Sequence, residues 1–115
     1  MKFGIKYRQG EILIVPFPFS DLSNVKRRPV LVLSNEGDNK NSKDLIICGI
    51  TSNLRDKKHS IIVENHNLLF GQIPIKSLIK TDKLFTIEKS IVIKKVAKLN
   101  QDTFEKVKKE FYSLI

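Results

Sequence analysis

The sequence predicts a mainly β domain, an antiparallel barrel or curled sheet carrying one C-terminal helix, and three observations support this. Short segments rich in Ile and Val recur at Ile12 to Phe19, Val30 to Ser34, Leu45 to Ile50, Ser60 to Glu64, Ser77 to Ile79 and Ile91 to Val96, the signature of closely spaced strands. Polar turn clusters separate them. Helical period occurs only at the end, where Phe104, Val107, Phe111 and Leu114 share one face, with Asn100 placed to cap the helix and Asp102 in its first turn. So many short strands in one small domain favour closure or curling, which removes exposed edges.

In chain order, the first apolar run contains Pro16 and Pro18 and leads into Ser20-Asp21-Leu22-Ser23-Asn24, whose short side chains favour turns. A basic knot follows, Lys26-Arg27-Arg28-Pro29, with Pro29 suited to the first residue of the second strand. That layout places fixed positive charge at the mouth of a sheet. Asn35 to Ser42 has no apolar anchor and is expected to be a mobile loop. Cys48 lies in the apolar run Leu45 to Ile50 and is expected in the core, with no His nearby to activate it. The segment Asn65 to Gly71 is compatible with either a short helix or a loop.

At 115 residues the chain is expected to be a single domain spanning 1–115. Its 21 basic and 12 acidic residues leave a net charge of +9, which favours RNA, DNA or an acidic protein as partner, although a general lysine coating reads the same way. One cysteine excludes an intramolecular disulfide. No stretch is long and apolar enough to span a bilayer, so no membrane association and a cytoplasmic location are expected. The two His, one Cys and scattered acids show no ligand spacing, and the five glycines are isolated, so neither a metal nor a nucleotide cofactor is expected.

Three blocks run in order along the chain. They are Gly10-Glu11-Ile12 with Phe17-Pro18-Phe19 and Lys26-Arg27-Arg28-Pro29-Val30-Leu31-Val32-Leu33-Ser34, then Ile50-Thr51-Ser52-Asn53, then Leu84-Phe85-Thr86-Ile87-Glu88-Lys89. In their order and spacing these resemble the MazF/PemK family of toxin endoribonucleases. The resemblance implies an SH3-like barrel of the MazF/PemK/CcdB kind, with a C-terminal helix and short additional helices. It further implies the toxin of a type II toxin–antitoxin system, a homodimer held inactive by a cognate antitoxin. The implied activity is sequence-specific, metal-independent cleavage of single-stranded mRNA, which halts translation and growth.

RNA can be cut without a metal when its own 2′-hydroxyl attacks the phosphodiester. The protein must then align the phosphate, stabilise charge on its oxygens and move protons. By the resemblance, Arg28 and Thr51 take the catalytic positions. A guanidinium grips two phosphate oxygens and stays charged, while the Thr51 hydroxyl bonds a phosphate oxygen or orients Arg28. Lys26 and Arg27 suit neighbouring phosphates, Phe19 suits base stacking beside the loop, and Ser52, Asn53 and Ser77 suit the RNA pocket. Glu11 is a candidate to orient Arg28, whereas His59 and His66 match no family motif and read as solvated surface residues.

The blander alternatives are an Arg28 paired with an acid such as Asp21 and a Thr51 that merely ends a strand. The matching whole-protein alternative is a non-catalytic SH3-like module that binds RNA, DNA or a protein, including the kind that poisons a topoisomerase. Three positions depart from the commoner family pattern: Glu11 where Asp is frequent, the additional Arg27, and Lys76 where an acid often precedes Ser77. Lys76 bears on RNA preference and antitoxin choice.

Overall fold

A computed structural model describes residues 6–18 and 25–115. Seven strands, β1 Glu11–Pro18, β2 Val25–Val32, β3 Asp44–Thr51, β4 Ser60–Val63, β5 Leu68–Gly71, β6 Ser77–Glu88 and β7 Lys94–Leu99, form one antiparallel sheet in the order β4-β6-β3-β2-β1-β7-β5. Two helices, α1 Glu36–Asn41 and α2 Gln101–Tyr112, and two 3-10 turns at Asn65–Asn67 and Lys89–Ile91 complete it. The sheet curls and keeps β4 and β5 as its edges, and α2 packs against β4 and β6. This is the expected mainly β architecture.

The apolar runs are continuous because the central strands are buried on both faces. Ile12, Leu31, Cys48, Ile50, Ile79 and Ala97 line the face that meets Val107 of α2. Leu13, Val15, Val30, Val32, Leu45, Ile47 and Ile87 line the other, where Tyr7 and Val92 join them. Asn100 caps α2 by accepting the Thr103 N–H at 2.8 Å, as the sequence suggests. Within the core, burial pushes the Cys48 thiol up to about 12 from an ordinary 9.0, and the charge of Asp82 adds to the shift. The native protein is therefore expected to resist thiol reagents at neutral pH and to label only on unfolding. Since the unfolded thiol ionises first, stability should fall as pH rises from about 9 towards 12. Prompt labelling of the folded protein would place Cys48 outside the core.

Three expectations need correction. Asn35 to Ser42 is not a loop but α1, held by polar rather than apolar burial. Asn39, 2% exposed, donates to the carbonyls of Tyr7 at 3.0 Å and Ser34 at 2.9 Å, and accepts from the Ser34 hydroxyl. In Asn65 to Gly71 the short-helix alternative holds only for the 3-10 turn Asn65–Asn67, and the rest, Leu68–Gly71, is strand β5. Pro29 does not open a strand, because β2 begins four residues earlier at Val25.

The reason for that last difference positions the site. β2 pairs with β3 only from Val30 to Val32, and β1 pairs with β7 only from Glu11 to Ile14. Beyond those points, among the described residues, β1 and β2 pair only with each other and form a two-stranded arm. Pro16, Pro18 and Pro29 all lie in this arm, where a strand has a side without a partner and a missing N–H is tolerated. Lys26, Arg27 and Arg28 are thereby carried out along the arm, opposite Phe17, Pro16 and Val15.

Candidate functional site

Where β2 leaves β3, a cleft opens. The last paired residues are Val30 and Gly49, and two further steps of the same register would set Arg28 opposite Thr51. Both residues line one cleft of about 500 Å³, together with Pro29, Asn53, Asp56, Lys80, Lys83 and Phe85. Arg28 is half-buried there. A second cleft of about 640 Å³ shares Arg28, Pro29 and Ile50 with the first and is bordered by Lys26, Arg27, Ser52, Ser77, Gln72 and Lys94. Arg28 thus stands between two connected basic depressions.

Of the residues singled out from sequence, the structure brings Arg28, Thr51 and Asn53 to the first cleft and Lys26, Arg27, Ser52 and Ser77 to the second. Phe19, like Asp21, lies outside the described residues. The hydroxyl of Ser77 donates to the Ile75 carbonyl at 3.0 Å. Thr51 Oγ1 accepts the Asn53 N–H at 3.1 Å, and Asn53 Oδ1 accepts the Arg55 N–H at 3.1 Å, so these side chains also shape the turn leaving β3.

Glu11 does not orient Arg28. It is 2% exposed at the far end of β1, where its carboxylate accepts the Arg8 N–H at 2.6 Å and pairs with Lys95 at 2.8 Å. Neither histidine lines either cleft. His66 is exposed beside Glu64, but His59 is not simply solvated: it is partly buried, with Nδ1 3.8 Å from Glu110 of α2. Lys76 is exposed.

Lys80, Lys83 and Asp56 were not apparent as site residues from sequence. The β6 strand was legible only as Ser77 to Ile79, because the charged run that follows breaks the apolar pattern. In the fold, β3 pairs with β6 at Gly49–Lys80 and next at Cys48–Leu84, so Thr81, Asp82 and Lys83 bulge out where the cleft lies. The hydrogen bond from Lys80 holds the Asp56 carboxyl below its ordinary range, with the charge of Lys80 and then of Lys83 adding to this. That pairing is complete above the ordinary carboxyl range and is lost as pH falls through the lowered value. Among the described residues no three His, Cys, Asp or Glu side chains cluster as metal ligands, and no helix is long and apolar enough to cross a membrane.

Similar architectures are found in solved toxin structures. A MazE–MazF complex from Deinococcus radiodurans matches with a TM-score of 0.77 at 19% identity, covering 96% of each chain. An endoribonuclease from a mycobacterial species matches with a TM-score of 0.75 at 16% identity, covering 97% of this chain and 93% of that one. An endoribonuclease in complex with its cognate antitoxin, also mycobacterial, matches with a TM-score of 0.72 at 15% identity, covering 94% and 91%. No curated protein sequence matches the chain. A sequence profile described as PemK-like, MazF-like toxin of type II toxin–antitoxin system matches residues 8–115. The chain, from its first described strand to its last residue, therefore belongs to the PemK-like, MazF-like toxins of type II toxin–antitoxin systems.

Proposed function

We propose that the protein is a metal-independent endoribonuclease that cuts single-stranded mRNA by attack of a 2′-hydroxyl on the adjacent phosphodiester. The observation carrying this reading is the meeting of Arg28 and Thr51 in one cleft, from two strands that part just before them. Arg28 supplies a planar, permanently charged fork for the phosphate oxygens as charge builds on them. Thr51 accepts one backbone N–H and keeps its own hydroxyl proton for a phosphate oxygen. Lys26 and Arg27 on the arm hold flanking phosphates, while Ser52, Asn53 and Ser77 contact the RNA and Phe19 stacks on a base.

Two structural neighbours are complexes with antitoxins, which supports a cognate antitoxin as partner. An acidic antitoxin segment complements the +9 charge. The protein acts as a homodimer in the cytoplasm.

The decisive experiment is incubation with a long single-stranded RNA in excess EDTA, with cut sites mapped. Discrete cuts are expected. Intact RNA with tight binding would instead favour a non-catalytic SH3-like module. Thr51→Ala is expected to slow cleavage by about a hundredfold, and Thr51→Ser, which retains the hydroxyl, by less than about tenfold. Equal rates in the two variants would reduce Thr51 to a turn cap.

A further inference from the structure

Among the described residues Lys80 is the only buried basic side chain, 3% exposed. An ammonium taken out of water is costly unless oxygens replace its hydration. Here four do: Asp56 Oδ1 at 3.1 Å, the Asp56 carbonyl at 3.1 Å, the Lys58 carbonyl, and Asp82 Oδ1 at 3.7 Å. Three of those four belong to one segment, residues 52–59, which joins β3 to β4.

That segment reads Ser-Asn-Leu-Arg-Asp-Lys-Lys-His, too polar to be held in place by apolar burial. Its start is fixed by the Thr51 and Asn53 turn bonds. Its end is fixed by β6, where Thr81 donates both its N–H, at 3.0 Å, and its hydroxyl, at 2.9 Å, to the His59 carbonyl. Between them, Ser52, Asn53 and Asp56 line the two clefts around Arg28. Most anchors of the later half of the segment thus come from residues 80 and 81 of β6; the Ser60 hydroxyl, which donates to the Lys57 carbonyl at 2.6 Å, and Glu110, 3.8 Å from His59, add to them.

We propose that Lys80 is a positioning residue, whose ammonium clamps the 52–59 segment so that it forms a fixed wall of the Arg28 cleft. Its consequence for turnover rests on the endoribonuclease reading; the clamp itself does not. Unclamped, the segment opens, and RNA bound by the arm is held against a wall that no longer keeps the phosphate in line.

The segment carries its own probe, since trypsin cuts after Arg55, Lys57 and Lys58. Lys80→Met keeps the apolar stem and removes the charge. It is expected to raise cleavage at these three sites by about tenfold or more, with cleavage in α2 unchanged and the far-ultraviolet dichroism retained. Lys80→Arg should restore most of the protection. In the RNA assay, Lys80→Met should lower the single-turnover rate by about tenfold and leave RNA affinity within about twofold, a split that general destabilisation does not produce. Unchanged trypsin rates at 55–58 in the folded variant would overturn the clamp. If Lys80→Met does not fold, Asp56→Ala decides the matter, because the side chain is 59% exposed and its removal takes away one anchor only. That variant should open the same sites about threefold, and protection equal to wild type would overturn the proposal. A wild-type protein inert towards RNA would remove the ribonuclease reading, leaving the clamp to stand or fall on the proteolysis.

Discussion

Arg28→Ala is expected to slow RNA cleavage by about a hundred- to a thousandfold while leaving the fold intact, the usual loss when one fixed donor is taken from a developing oxyanion. The effect should be large because of where the residue sits. Its strand has only one partner at that point, so the side chain stands between both clefts instead of being covered by β3. The neighbouring Pro29 fixes its own backbone torsion and restricts that of Arg28, which orders the side chain's base before any substrate arrives. Arg28→Lys keeps the charge and loses the fork, so an intermediate loss of about tenfold is expected. Arg27→Ala should act differently, weakening RNA binding and flattening its salt dependence by about one unit of slope with little change in the chemical step. Single-turnover cleavage in EDTA, with melting curves for each variant, separates these outcomes. Full activity in Arg28→Ala would remove Arg28 from the reaction.

Gly71→Ala is expected to cost about 3 kcal/mol and lower Tm by roughly 10 °C or more. Gly71 ends β5 with φ at +82°, and a Cβ there would lie 2.1 Å from the Val96 carbonyl oxygen and 2.6 Å from the Ala97 Cα. Both atoms are backbone of β7, which is itself tied to β1. Relief would therefore require moving the sheet. Gly10 gives the control: φ is +91°, but a Cβ would meet the Phe104 ring at 3.6 Å and the Lys98 side chain at 4.0 Å, both ordinary contacts. Gly10→Ala should carry the torsional strain alone, about 1 kcal/mol. Equal melting shifts in the two variants would show that the β5–β7 approach is looser than these distances state.

The parts legible in the sequence are those written in apolar pattern or local motif. Ile12 to Val15 and Leu45 to Ile50 read as strands because residues on both faces are buried or partly so, Ile46 excepted, and no polar residue interrupts them. The α2 stripe read as a helix, and its Asn100 cap was visible, because capping is a local event. Arg28 and Thr51 were named from motifs, and the register that converges on them rests on pairings no local pattern records. What escaped was held together by long-range polar contacts. Asn39 looks like a loop residue until Tyr7, thirty-two positions away, accepts its amide. Lys80 looks like the charged end of a strand until Asp56 and Lys58 are folded over it. Leu68 to Gly71 is four residues long and exposed beyond the partly buried Leu68, too short and too wet for a period to show.

The strand order also bears on synthesis. The two strands that carry Arg28 and Thr51 have been made by residue 51, yet β3 has its other partner in β6, residues 77–88, and β1 has its other partner in β7, residues 94–99. The pairing of Glu11 with Lys98 spans nearly the whole chain, a contact that forms late because so much must be drawn together first. A nascent chain on the ribosome therefore has its basic arm long before it has the sheet that supports it. The cleft that holds Arg28 and Thr51 takes lining residues from as late as Phe85, and its neighbour takes Lys94 and Val96, so the first lacks its full wall until β6 has emerged and the second until β7 has.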